Sequence, residues 1–246
     1  MNAVGVTDIG ASRSQNQDTI SVLKQKVGPL PNLYIVADGL GGHKAGDTAS
    51  NMAATSICDY IANSPEATRF EDGLDVLVNA ITKAGTDIFA AAEADEELKG
   101  MGTTATLCTV GTDKAIIAHI GDSRAYSISS EKIIRLTHDH TYVDELLRAG
   151  KISEDEARIH PKRHIITRAL GTQKDCEVDG IIADLTGVSI LLLCSDGLSN
   201  MIEDARLMQI SNGEGTLEER AKIMIDEANA NGGHDNISVI LIDVGR

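Results

Sequence analysis

Short apolar runs rich in β-branched residues recur along this chain, at 3–7, 19–23, 33–37, 103–110, 114–120, 125–129, 132–136, 178–183, 189–194 and 237–244. Glycine, aspartate or asparagine bounds many of them, as expected of strands closed by turns. Between 47 and 98 the period changes to that of helices. Ala49, Met52, Ala53, Ser56, Ile57, Tyr60 and Ile61 fall at helical spacing over 47–62. Leu74, Leu77, Val78, Ile81, Ile88 and Phe89 mark one face over 71–98. A third helical zone spans 141–159 with a break near Gly150, and a fourth spans 217–230.

The order is strands, two helices, strands, helices, strands, helix, strand. Runs of like elements, rather than strict alternation, predict an α+β fold. The links between 114–120, 125–129 and 132–136 are too short for a helical crossover, so these runs are expected to form an antiparallel meander. Several strands are apolar at nearly every position. Two sheets packed face to face, with helix pairs outside, would bury both of their faces. The 246 residues, 42% of them hydrophobic, suffice for one sizeable core. No internal repeat, low-complexity stretch or linker divides them, so 1–246 is expected to be a single domain. The segment 150–171 is more polar and basic than its surroundings, with Arg158, His160, Lys162, Arg163, His164 and Arg168. It reads as a mobile flap beside the site, the flap-like segment being about 141–168, with an ordinary helical hairpin as the alternative.

Three apolar runs stop at an aspartate-bearing turn. I-V-A leads into Asp38 of A-D-G-L-G-G-H, I-I-A-H-I into Asp122 of I-G-D-S-R, and I-L-L-L-C into Asp196 of C-S-D-G-L. A fourth acid, Asp235 of G-G-H-D-N, precedes the run at 237. Carboxylates at strand ends can converge at one edge of a sheet. Converging carboxylates repel, and hard divalent cations such as Mg2+ or Mn2+ are the natural partners of such oxygens. A metal-dependent hydrolase is therefore the first functional reading.

The net charge of −15 sharpens it. A strongly acidic surface disfavours nucleic acid and anionic membranes. It suits a phosphate substrate only where bound cations reverse the local field. Aromatic residues make up 2% of the chain, which argues against base stacking as a recognition mode. Cys58, Cys108, Cys176 and Cys194 form no C-x-x-C pair, so neither a zinc site nor a disulfide framework is expected. The first residues do not read as a signal peptide, and no apolar run reaches membrane-spanning length. A cytoplasmic monomer is expected.

Residues 7–18 end a strand, turn on Gly10 and present Arg13, Asn16 and Asp18. Arg13 has two readings: an ion pair with Asp8 or Asp18, or a bidentate grip on a phosphate dianion. Gly39 lets the backbone approach a ligand, and its carbonyl can serve a metal. The alternative is a glycine-rich turn in which Asp38 caps the next helix. His43 is either a base or a surface histidine after that turn.

Nine motifs follow one another in the order of a known family. They are D-x-G-x-x-R-x-x-N-x-D at 8–18, D-G-x-G-G-H at 38–43, G-T-T-A at 102–105, G-D-S-R at 121–124 and T-x-D-H at 137–140, then H-P-x-R at 160–163, T-R-A-L-G at 167–171, S-D-G-L at 195–198 and D-N-I-S at 235–238. From 7 to 244 the chain resembles the metal-dependent protein serine/threonine phosphatases, the type 2C phosphatases, in their compact bacterial form. The resemblance implies a four-layer αββα sandwich of two antiparallel sheets flanked by helices. It implies two Mn2+ or Mg2+ ions and a weaker third. Asp38 would bridge two ions, Asp196 and Asp235 would complete one, and the Gly39 carbonyl would serve the other with Asp18 near it. Asp122 would join Asp196 at the third ion, with Asp139 as a second candidate. Arg13 would hold the phosphate. A hydroxide bridging the two ions would attack phosphorus in line, with no phosphoenzyme. In keeping with this, none of the four cysteines has an arginine six residues on.

The implied substrates are proteins carrying phosphoserine or phosphothreonine, and the implied setting is opposition to a bacterial Ser/Thr kinase. Two positions depart from the family. Leu40 stands where animal members have a histidine proposed as general acid, and His43, three residues later, does not inherit that role. Gln17 stands where many members have Glu, and it brings no charge to the metal site. Two competing readings are a binding module of the same fold and a hydrolase of small phosphate esters. Intact Asp38, Asp196 and Asp235 argue against the first, and the family match argues against the second.

Overall fold

The computed structural model describes residues 1–41 and 45–245, apart from the Arg158 side chain. Gly42 and His43 lie outside the described residues, and with them the two readings of His43. The chain forms strands β1 (Asn2–Asp8), β2 (Asp18–Leu23) and β3 (Leu33–Leu40), then helices α1 (Ala45–Ala62) and α2 (Gly73–Ala94). Strands β4 (Gly102–Thr103), β5 (Ala105–Val110), β6 (Lys114–Ile120), β7 (Arg124–Ile128) and β8 (Ile133–Arg135) follow, and then helices α3 (Tyr142–Arg148) and α4 (Glu154–Ile159). The last part holds β9 (Asp179–Asp184), β10 (Ile190–Cys194), α5 (Asp196–Ser199), α6 (Asp204–Ser211), α7 (Leu217–Ala230) and β11 (Ile237–Asp243).

One sheet has the order β1-β11-β10-β7-β8; the other has β2-β3-β5-β6-β9, with β4 paired to the end of β3. Neighbouring strands are antiparallel. Alternation along each strand assigns its faces. On β3, Leu33 and Ile35 meet α1 and α2, while Tyr34 and Val36 point between the sheets. On β10, Leu192 and Cys194 pack in the cluster under α6 and α7, while Leu191 and Leu193 point between the sheets. Strands apolar at every position are thus buried on both faces, and the four αββα layers follow. With so few aromatics the layers are filled by aliphatic side chains. Ala45, Ala49, Ala53 and Ala54 line the inner face of α1, and their small size lets it lie close against β3 and α2. No helix among the described residues is long and apolar enough to cross a membrane.

Helix starts follow from their caps. Thr216 Oγ1 accepts from the Glu219 N–H while the Glu219 carboxylate accepts from the Thr216 N–H, which fixes α7 at Leu217. Ser153 and Glu156 do the same for α4. The zone expected over 71–98 is a shorter helix with a single 3-10 turn at either end. Helices α5 and α6 are additions to the sequence reading. Both are too short to show a clear period, although Leu207 and Ile210 of α6 are buried.

The meander expected over 114–136 does not form as a whole. β7 and β8 pair, but β6 and β7 belong to different sheets. The turn 121–123 carries the chain from one sheet to the other, with Gly121 at φ +111°. The run at 103–110 is also interrupted, because Thr103 and Thr104 turn to Asp38: the Thr103 Oγ1 and the Thr104 N–H both donate to the Asp38 carbonyl at 2.9 Å. β1 passes to β2, and β6 to β7, at the same end of the sandwich. The registers place the end of β3, the end of β10 and the start of β11 there too.

A Cβ on Gly121 would lie 2.5 Å from the Thr104 Cβ, in addition to the unfavourable φ. Gly121→Ala is therefore expected to destabilise the protein by about 1–3 kcal/mol, read as a lower urea midpoint. An unchanged midpoint would show that this crossover is not constrained.

Candidate active site

The shared end of the sheets collects Asp18, Asp38, Asp122, Asp196 and Asp235, and each arrives by local structure. Asp18 opens β2 directly opposite Asp38 near the end of β3. Asp196 is the first residue of α5, immediately after β10 and Ser195. Asp235 lies two residues before β11, and Asp122 sits in the crossover turn between β6 and β7. Asp122, Asp196 and Asp235 line one cleft of about 1040 Å3 together with Arg124, Asp139, Arg163 and His164. A groove of about 1020 Å3 along α1 and α2 contains none of these acids.

Neutral groups hold the acids in place. Asp18 is buried, and its Oδ2 accepts from Ser195 Oγ and from Ser238 Oγ, both at 2.7 Å. Those serines belong to the other sheet's strand ends, so this carboxylate is a clamp between the sheets. The Asp38 N–H donates to Thr104 Oγ1 at 3.0 Å, and Thr104 Oγ1 is 2.9 Å from Ser123 Oγ beside Asp122. Asp196 Oδ2 accepts from Asn200 Nδ2 at 3.0 Å. Asn236 ties the loop 9–17 down: its Oδ1 accepts from the Gln17 N–H, and its Nδ2 donates to the carbonyls of Ile9 and Gln15. The sequence reading saw these residues only as parts of motifs. The local signal was there: a hydroxyl or amide residue stands immediately beside an aspartate in both S-D-G-L and D-N-I-S.

The remaining oxygens are the informative ones. Asp18 Oδ1, Asp122 Oδ1 and Asp196 Oδ1 are buried, and no hydrogen-bond donor among the described residues reaches them. Burial first, and then the charges of Asp18, Asp196, Asp122 and Asp235, push the Asp38 carboxyl well above the usual range. Burial and then Asp196 do the same to Asp122. Asp196 is pushed up to about 7 by burial, then by Asp235 and Asp18. Asp18 is pushed up to about 6, because burial outweighs the hydrogen bonds from Ser238 and Ser195. Among the described residues no three such side chains stand as a finished metal shell. Asp18 and Asp196 instead lean on Asp38, close enough for carboxyls to share protons. A hard cation takes the place of such protons, and it takes oxygen ligands of the kind left unpaired here. The donor set fits divalent ions.

Arg13 pairs with neither Asp8 nor Asp18. Its Nη2 donates to Asp235 Oδ2 at 2.6 Å, at a half-exposed position. Asp8 is engaged by the Gly10 N–H and Asn229 Nδ2, and Asp18 lies behind the surface with its serines. Asp139 is also committed. Arg124 grips it through two nitrogens at 2.6 and 2.9 Å, and Arg135 adds a contact at 3.3 Å. Burial is the largest influence on Asp139 and would raise its pKa, but the arginines together leave it below the ordinary value. Asp139 is thus held in an ion-pair network, whereas Asp122 keeps a buried oxygen that no described donor reaches. Gly39 has a packing reason to be glycine: a Cβ there would lie 2.1 Å from the Gly46 carbonyl oxygen. The Gly39 carbonyl and the Gln17 side chain converge beside Gly46 at the start of α1.

An αββα sandwich with crowded aspartates and a half-exposed arginine at one end has the architecture of a metal-dependent phosphoprotein phosphatase. Known proteins agree. The protein phosphatase 2C family matches residues 10–224. The serine/threonine phosphatase Stp of Listeria innocua is 39% identical over 243 residues, 99% of this chain and 96% of that protein. The structure of serine/threonine phosphatase Stp1 from Staphylococcus aureus superposes with a TM-score of 0.92 at 33% identity, covering 99% of this chain and 95% of that one. The catalytic domain of the protein phosphatase PstP, in complex with two manganese ions, superposes with a TM-score of 0.80 at 29% identity, covering 98% and 97%. The chain belongs to the protein phosphatase 2C family, the metal-dependent protein serine/threonine phosphatases.

The raised carboxyls make stability depend on pH and metal together. Their folded-state values lie above the ordinary 3.8, so the folded state binds more protons than the unfolded chain between pH 3.8 and about 7. That contribution is complete below pH 3.8 and is lost as pH rises through about 6 to 7. In EDTA the Tm should fall from pH 5 to pH 8. Saturating Mn2+ should raise it by about 5–10 °C at pH 8 and by less at pH 5, where protons compete. A Tm indifferent to Mn2+, or a larger rise at pH 5, would contradict this reading of the acids.

Proposed function

We propose that this phosphoprotein phosphatase works with two Mn2+ or Mg2+ ions and a weaker third, and that it opposes a bacterial Ser/Thr kinase by hydrolysing phosphoserine and phosphothreonine on that kinase's substrates. The observation that carries the proposal is the set of buried oxygens of Asp18, Asp122 and Asp196, gathered about Asp38, that no donor among the described residues reaches. Asp38, leaning on acids to either side, would hold both of the paired ions. Asp196 and Asp235 would help to hold one of them, and the Gly39 carbonyl with Asp18 would help to hold the other. Asp122 and Asp196 would hold the third. When bound, such ions neutralise the crowded acids and supply the Lewis acidity that makes water a nucleophile near neutral pH.

The chain's own residues set the geometry of the reaction. Arg13, anchored at one nitrogen by Asp235, keeps donors for a phosphate dianion and presents them at the mouth of the site. Ser195 and Ser238 fix Asp18 by one oxygen and so direct the other. Gln17 leaves the Asp18 side of the site one charge poorer than Glu would, which weakens that site without removing a carboxylate. The basic segment within 141–168 contributes Arg163 and His164 to the cleft and is the flap that meets the protein substrate. Residues 1–246 act as one catalytic domain, cytoplasmic and monomeric.

Phosphate release from a phosphothreonine peptide tests the reading, in EDTA, in Mg2+ and in Mn2+. Turnover should require metal. Asp38→Ala and Asp196→Ala should each lower kcat at least about a hundredfold. Arg13→Ala should act mainly on KM, raising it about tenfold or more, as expected for one charge-assisted hydrogen bond. Replacing 151–162 with a short Gly/Ser loop should change peptide selectivity. Turnover in EDTA, a sugar phosphate preferred to the peptide, or unchanged kinetics in the Arg13 variant would each overturn the corresponding part.

A further inference from the structure

His140 stands at a junction that the chemistry itself does not use. Its side chain is 2% exposed. Its Nδ1 accepts from the Gly121 N–H at 3.1 Å, while its own N–H donates to the Gly121 carbonyl at 2.7 Å. Gly121 begins the turn that carries Asp122. On the ring's other side, Nε2 lies 3.2 Å from Asp179 Oδ2. The second Asp179 oxygen accepts from Arg168 Nη1 at 3.1 Å, and the His140 carbonyl accepts from the Thr167 N–H at 2.8 Å. Thr167 and Arg168 are where the basic flap segment returns to the sheets. His119 backs the ring, with centroids 4.9 Å apart, and is itself fixed because its Nε2 donates to the His138 carbonyl at 3.0 Å.

An amide N–H only donates, so His140 Nδ1 is the bare nitrogen and Nε2 carries the proton toward Asp179. One imidazole therefore spends each of its two nitrogens on a different element.

We propose that His140 is a positioning residue that joins the Asp122 turn to the flap's return, so that the third cation position and the flap are held as one unit. The inference rests on the phosphatase reading of the cleft. Two substitutions separate the two arms. Asn keeps an acceptor at the Nδ1 position but is too short for Asp179; Gln keeps a donor at the Nε2 position but offers nothing to Gly121. His140→Asn should raise KM for the phosphothreonine peptide and speed tryptic cleavage after Lys162 or Arg163, with wild-type Mn2+ binding. His140→Gln should weaken Mn2+ binding in calorimetric titration. Each change should be about fivefold, the loss of one buried hydrogen bond. Asp179→Ala cuts the flap arm without altering the buried ring, and it should repeat the KM and tryptic effects of His140→Asn. Wild-type cleavage and KM in Asp179→Ala, or wild-type Mn2+ binding in a folded His140→Gln, would overturn the proposal. Proteolysis and calorimetry need no turnover, so they decide it even for a protein that released no phosphate.

Discussion

Asp18, Asp38, Asp122, Asp196 and Asp235 repel one another across the shared end of two sheets, and all but the rim residue Asp235 carry a cost of burial as well. The fold meets that repulsion with several devices. Hydroxyls from Ser195 and Ser238 stabilise one oxygen of Asp18 without neutralising it. Arg13 offsets Asp235 at the rim, and Arg124 with Arg135 offsets Asp139. What remains is a nest of acids whose protons are held well above their usual range. Protons or a bound metal cation would satisfy it. A net charge of −15 sits easily with phosphate chemistry on those terms, because the field at the cleft is set by what binds there.

Much of this was legible in the sequence, for a physical reason. Strands buried on both faces must be apolar throughout, so β3, β5, β6, β10 and β11 announce themselves, and the aspartates that break those runs mark the end where the sheets stop. The face of α2 was readable from Leu77, Ile81 and Ile88, all of which are buried. The path between sheets was not readable. A turn of three residues joins β6 to β7 whether the strands are neighbours or lie in opposite layers, and only the Gly121 conformation and its fit against Thr104 decide. Arg13 shows the same limit at the site. Asp8 and Asp18 are near it in the chain, but its partner is 222 residues away because the loop 9–17 folds across the start of β11.

Hydrogen bonds that bind loop to loop, rather than strand to strand, hold this end of the sandwich together. Asn236 secures the Arg13 loop, Thr103 and Thr104 secure Asp38, and His140 secures both the Asp122 turn and the backbone at Thr167. Thr103 and Thr104 sit on a different segment from Asp38, as do Ser195 and Ser238 from Asp18 and His140 from the Asp122 turn. The acids therefore keep their relative positions only while the two sheets stay in register. Sheet packing and metal chemistry are in this sense one problem, solved by the same few polar side chains.

Proton release on metal binding reads the repulsion itself. Metal-free protein titrated calorimetrically with Mn2+ at pH 7, in buffers of different ionisation enthalpy, gives the number of protons displaced. Asp38 and Asp122 hold protons above the usual range, and burial with the charges of Asp235 and Asp18 pushes Asp196 up to about 7. Binding should therefore expel about one proton or more, and fewer at higher pH. Mn2+ that binds with no proton released would mean that the five carboxylates are ionised without it, and that something other than cations holds this end of the molecule together.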